Sequence, residues 1–121
     1  MPPTNSSNFE QGTIITANIL FSDMAGAKLR PALVISSTEY NKKFADIIVL
    51  KITSAKEKPF PFNVDIADGD VFGGKLKKEC TIMADFPVTL AKEQVSGIIG
   101  RLSEKKLAET KQKMKTLFSL K

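Results

Sequence analysis

Histidine is absent from this chain. Without an imidazole, Ser-His-Asp triads, Cys-His pairs, HExxH zinc sites and histidine-based ribonuclease chemistry are all excluded. Any catalysis must therefore be assembled from Arg, Lys, Asp, Glu, Ser, Thr or Tyr. Cysteine occurs once, at Cys80, so no disulfide framework forms within the chain, and a reducing cytoplasm is the simplest compartment. With no histidine to act as its base, Cys80 reads as a core residue. No apolar run approaches the roughly 18 residues that a membrane helix needs. The opening MPPTNSSNFEQ also lacks the basic and apolar regions of a signal peptide, and the expectation is a protein neither secreted nor inserted in a membrane.

What is present points to one soluble module. The 121 residues are 42% hydrophobic and 26% charged, an ordinary balance for a globular domain, and the length suits a single core. The net charge of +5 favours a polyanionic partner, either nucleic acid or an acidic protein. Much of that charge lies in a lysine-rich C-terminal segment, which also suits a solvated helix face.

Along the chain, residues 1–9 are rich in Pro, Ser and Asn and are expected to form a flexible tail, leaving 10–121 as the domain. GTIITANIL (12–20) reads as a first strand, FSDMAGAKL (21–29) as an exposed loop and PALVIS (31–36) as a second strand. STEYNKKFA reads as a polar connection. DIIVLKITS (46–54) reads as a third strand whose unbroken IIVL implies burial on both faces. The prolines of KEKPFPF confine FNVDI (62–66) to an edge strand. ADGDVFGGKLKK (67–78) reads as a loop, with ECTIMAD (79–85) and VSGIIGRL (95–102) as the fifth and sixth strands. The period then changes: Ser103 is a plausible N-cap, and Leu107, Ala108, Lys111, Met114, Leu117 and Phe118 recur at helical spacing. A mostly β fold with a C-terminal α-helix, arranged as a small, mostly antiparallel barrel, is expected.

Four polar groups stand out. Arg30 precedes Pro31, whose ring biases the residue before it toward extended backbone. The guanidinium is then either a structural cap or a pre-aimed phosphate contact where loop meets strand. Thr53 and Ser54 end the apolar third strand. They are ordinary strand residues, or hydroxyls reaching a ligand held by Arg30 if strands two and three are neighbours. Asp85 closes CTIMA and is either a turn aspartate or an acid facing that ligand. Lys75, Lys77 and Lys78, beside Gly73-Gly74, form a solvated loop or a phosphate track, as does Lys28 at the basic exit of the first loop. DIADGD (65–70) misses the ligand spacing of a calcium loop, and no metal or other cofactor is expected.

The run GTIITANILFSDMAGAKLRPALVIS, followed by DIIVLKITS, KLKKECTIMAD and IIGRLSEKKLAETKQKMKTLF, resembles the MazF/PemK family of toxins from type II toxin–antitoxin pairs, in its PemK-like branch. The resemblance covers about residues 11–120. It implies a small SH3-like barrel of the MazF/PemK/CcdB kind, a homodimer, and a metal-independent endoribonuclease of the mRNA interferase type. Such an enzyme cleaves single-stranded RNA through the 2′-hydroxyl and is blocked by a cognate acidic antitoxin. By the resemblance, Arg30 stabilises phosphate charge or donates a proton, Thr53 binds the scissile phosphate or orients the 2′-hydroxyl, and Asp85 is the base. Ser54, Lys28, Lys75, Lys77 and Lys78 would contact RNA. Two departures stand out: Met83 replaces the branch's arginine two residues before the aspartate, and Gly12-Thr13 replaces a Gly-Asp pair. The alternative from another class is a noncatalytic binding module, kept for RNA or antitoxin contact or acting as a gyrase-type poison.

Overall fold

The computed structural model describes residues 9–19, 28–54, 61–76 and 79–121. Seven strands form one sheet: β1 (Thr13–Ile19), β2 (Lys28–Val34), β3 (Asp46–Thr53), β4 (Asn63–Ile66), β5 (Val71–Phe72), β6 (Cys80–Ala91) and β7 (Val95–Leu102). A short helix α1 (Thr38–Lys43) joins β2 to β3, and α2 (Glu104–Leu117) follows β7. The strand order is β4-β6-β3-β2-β1-β7-β5, and every described pairing is antiparallel.

Chain length forces this sheet to roll up. Laid flat, seven strands at about 4.8 Å spacing would separate the two edges by about 29 Å. Yet the edge strands β4 and β5 are consecutive in sequence, joined by residues 67–70, a link that spans at most about 18 Å between Ile66 and Val71. The result is the expected small antiparallel barrel with a C-terminal helix. Where β5 pairs with β7 the backbones lie close: a Cβ added at Gly100 would lie 2.4 Å from the Phe72 carbonyl oxygen.

The curled sheet has apolar residues on both faces, and the core is split in two where a single one was expected. Ile14, Leu33, Leu50, Ile52, Ile82 and Leu102 belong to one cluster, covered in part by Leu107 and Met114 of α2. Ile15, Ala17, Ala32, Val34, Ile47, Val49 and Leu90 belong to the other, covered by Phe9, Phe86, Val88 and Val95. Alternation along β2 and β3 sends successive residues to opposite clusters. This is why IIVL is unbroken, and burial of Ile47, Val49 and Leu50 bears out the expectation for that run.

Several elements differ from the sequence reading. β2 begins at Lys28, so Arg30 lies inside the strand opposite Ala17 and not at its mouth. STEYNKKFA contains α1, capped by the Ser37 hydroxyl, which accepts from the Tyr40 backbone N–H at 3.0 Å. Its Asn41 is fully buried and donates from Nδ2 to the Ser36 carbonyl at 3.1 Å and to the Phe9 carbonyl. Phe9, assigned by sequence to the tail, is thus anchored, while residues 1–8 lie outside the described residues. β5 occupies part of the expected 67–78 loop. β6 runs on to Ala91 through Pro87, a residue that strands tolerate beside a bulge. The Ser103 cap is present, its hydroxyl accepting from the Lys106 N–H at 3.2 Å. On α2, the inward stripe is Leu107, Thr110 and Met114, whereas Ala108, Lys111 and Phe118 are exposed. Among the described residues, no helix is long and apolar enough to cross a membrane.

Candidate active site

Strand register assembles the site. β2 and β3 pair with Ala32 opposite Lys51 and Val34 opposite Val49. The described pairs end at Ala32–Lys51; continued two residues past that end, the antiparallel register leads to Arg30 on β2 and Thr53 on β3. Sequence reasoning required β2 and β3 to be neighbours, and they are. Thr53 pairs in turn with Thr81 on β6, and Thr81 with Asp65 on β4. Directly paired residues share a sheet face, so Thr53, Thr81 and Asp65 form one rank across three strands, and the β2 register, continued past Ala32, points Arg30 toward its end. Within it the Thr81 hydroxyl donates to Asp65 Oδ1 at 3.0 Å. The adjacent rank on the same face is Ala32, Lys51, Met83 and Asn63, because Ile52 pairs with Ile82 and Asn63 with Met83. The side-chain Oδ1 of Asn63 is buried there without a hydrogen-bond partner among the described residues. Both ranks continue the face of the second cluster, whose member Ala32 belongs to the nearer one.

A large bulge in β6 carries Asp85. Between the pairs Ile52–Ile82 and Leu50–Pro87, β3 advances two residues while β6 advances five, leaving three extra residues on β6. Lys51 is the single β3 residue opposite this insertion, facing Met83 in one register and Phe86 in the other. Ala84 and Asp85 fill the bulge between them. Ala84 is fixed by its N–H donating to the Phe62 carbonyl at 3.0 Å, and Asp85 is exposed beside it. An odd number of extra residues also exchanges the faces of the strand. Cys80, Ile82 and Ala84 enter the first cluster, whereas Phe86, Val88 and Leu90 enter or pack on the second.

The neighbourhood combines cations, hydroxyls and carboxylates. Arg30 is partly buried, with its Nε shielded from solvent. Lys51 is partly buried too, and its Nζ lies 4.9 Å from the centroid of the Phe86 ring. Ser54 follows β3 and is exposed, and Lys28 is exposed at the start of β2, opposite Ile19. Lys75 is also exposed, but it follows β5, at the other end of the strand order from β4 and β6. Lys77 and Lys78 lie outside the described residues. The Asp-rich 67–70 segment is a turn in which Asp70 Oδ2 accepts from the Ala67 N–H at 2.9 Å. Among the described residues, no cluster of three His, Cys, Asp or Glu side chains is arranged to hold a metal ion.

Sequence reasoning missed Lys51, Thr81, Asp65 and Asn63. For Lys51 a signal existed, since one lysine interrupts the apolar run from Ile47 to Ile52. The others become neighbours only through pairing across strands far apart in sequence.

Residues 10–118 match the family model described as the PemK-like, MazF-like toxin of type II toxin–antitoxin systems. No curated protein matches the chain. Among solved structures, an endoribonuclease in complex with its cognate antitoxin from a mycobacterial species is similar at 19% identity and a TM-score of 0.73, covering 93% of this chain and 96% of that one. A MazE–MazF complex from Deinococcus radiodurans is similar at 24% identity and a TM-score of 0.73, covering 93% of this chain and 97% of that one. A mycobacterial endoribonuclease shares 17% identity at a TM-score of 0.73, over 92% of this chain and 91% of the other. These likenesses establish the shared fold.

Proposed function

Because the chain belongs to the PemK-like, MazF-like toxin family of type II toxin–antitoxin systems, we propose that it is an endoribonuclease that cleaves single-stranded RNA through the substrate's own 2′-hydroxyl. The observation that supports this reading most is that β2, carrying Arg30, neighbours β3, which ends at Thr53, while β3 in turn neighbours the β6 bulge that contains Asp85. Phosphodiester cleavage without histidine needs an acceptor for the 2′-proton, positive charge beside the phosphorane, and a donor for the departing oxygen.

In this mechanism the exposed Asp85 carboxylate takes the 2′-hydroxyl proton as the 2′-oxygen attacks phosphorus. Thr53 holds the phosphate in line, and the Arg30 guanidinium stabilises the charge gathering on its oxygens. The bond from phosphorus to the 5′-oxygen breaks as the departing alkoxide takes a proton from the guanidinium, and the proton held by Asp85 then returns to the guanidinium through water, restoring both groups. The products are a 2′,3′-cyclic phosphate and a 5′-hydroxyl. Every proton is handled by a side chain or water, so the reaction is metal-independent. Lys28, Ser54, Lys75, Lys77 and Lys78 guide the flanking phosphates, and single-stranded substrate allows the 2′-oxygen to reach in-line geometry.

The working unit is a cytoplasmic homodimer of the 10–121 domain, held in check by a cognate antitoxin with an acidic segment. Support for the dimer comes from exposed apolar side chains, including Leu29 beside Arg30, Ile98 on β7 and Phe118 after α2. Support for the antitoxin comes from the family and from the net charge of +5. The deciding experiment incubates purified protein with a long RNA in EDTA and analyses the ends. Discrete fragments bearing cyclic phosphate are expected. Intact RNA, with antitoxin binding retained, overturns the enzymatic reading in favour of a noncatalytic binding module.

A further inference from the structure

Lys51 stands where a strand has least use for a lysine. Its neighbours Val49, Leu50 and Ile52 are buried, lysine is disfavoured in strands, and partial burial of an ammonium costs free energy. It nevertheless sits centrally among the groups assembled above. Arg30 is one rank away on the same face, Thr53 is two residues along the same strand, and the bulge carrying Asp85 lies opposite. Positions diagonal to one another across an antiparallel pair are about 7–8 Å apart, close enough for two long basic side chains to converge on a single phosphate. The Phe86 ring, 4.9 Å below Nζ, steadies the lysine. At about 0.5–1 kcal/mol for a partly exposed pair, that contact is weak enough to yield to a phosphate oxygen.

We propose that Lys51 is a second phosphate-contacting cation of the site, acting with Arg30 on the scissile or adjoining phosphate of a polynucleotide. The assignment rests on the endoribonuclease reading for the chemical step, but phosphate contact by Lys51 can be measured without catalysis. On binding, the ammonium leaves the aromatic face and donates to a non-bridging phosphate oxygen, where charge increases as the phosphorane forms.

The test uses the full chain with Lys51→Met, which keeps an apolar stem on Phe86 and removes the charge, and Lys51→Arg, which restores it. Cleavage is measured on RNA. Affinity is measured across a salt series on a 2′-O-methyl oligonucleotide, which lacks the attacking hydroxyl. Lys51→Met should lower kcat about tenfold to a hundredfold, with a smaller change in KM, and reduce the slope of log affinity against log salt by about 0.7. Lys51→Arg should recover most of both, and thermal melting should report both variants folded. Unchanged rate and salt slope in a folded Lys51→Met variant overturn the proposal. A parent protein that binds the oligonucleotide with the lysine-dependent slope but leaves RNA intact removes the endoribonuclease reading and upholds the phosphate contact. A parent protein that neither binds nor cleaves overturns both.

Discussion

Replacing Arg30 with Ala separates folding from catalysis. Arg30 lies within β2, and its backbone pairs with Ala17 whatever side chain it carries. Pro31 and the buried run Ala32, Leu33 and Val34 follow it and hold the strand in place. The substitution removes the partly buried stem of one side chain but no member of either apolar cluster. A loss of about 1 kcal/mol is expected, typical of a substitution outside the core. In the proposed mechanism catalysis loses the guanidinium that stabilises the phosphate, and removal of one such donor lowers rate by about a hundredfold to a thousandfold, or roughly 2.7–4 kcal/mol in the barrier. Single-turnover cleavage of a defined RNA reads the chemical step free of product release, and urea unfolding of the same sample reads stability. The opposite pattern, an Arg30→Ala protein that is largely unfolded while its folded fraction cleaves at the parental rate, would make Arg30 a structural residue and refute the assignment.

Thr53→Ala should lower the rate less than Arg30→Ala does, because it removes a neutral hydroxyl rather than a charge; an equal or greater loss on the same RNA would contradict the proposed ranking. Met83→Arg places a guanidinium in the Lys51 rank and should leave cleavage equal or faster, and it should restore much of the rate lost in Lys51→Met; a double variant no faster than Lys51→Met would show that rank to be insensitive to charge. Gly100→Ala sets a methyl group 2.4 Å from the Phe72 carbonyl oxygen, so β5 must shift, and stability should fall by about 1–3 kcal/mol in urea unfolding; an unchanged midpoint would mean that β5 is loosely held against β7.

The parts of this fold legible in sequence are those with local causes. β7 begins and ends where its alternation does, and α2 starts at the Ser103 cap. The double-sided burial of β3 follows from its unbroken apolar run. α1 escaped because six polar residues show no apolar period, and its anchor, Asn41 bonded to Ser36 and Phe9, is a tertiary contact. β6 was cut short at Asp85 because Phe86-Pro87 resembles a stop, whereas the chain bulges there and continues. Arg30, Thr53 and Asp85 were visible one at a time as polar groups at the ends of apolar runs. Their juxtaposition, and the rank holding Thr81 and Asp65, depends on register, which pairs residues 16 or more positions apart and leaves no trace in local composition.

The β6 bulge also constrains how this protein can change. Because three extra residues reverse which side chains point to which half of the interior, the insertion acts as a phase setting for everything downstream on that strand. Removing a single residue from 83–86 would turn Phe86, Val88 and Leu90 away from the cluster they complete, so that a change at the site would be felt as misfolding. Substitutions there leave the phase intact, and so do insertions of two. Residue identity around Asp85 is therefore free of this constraint, while segment length is held to steps of two.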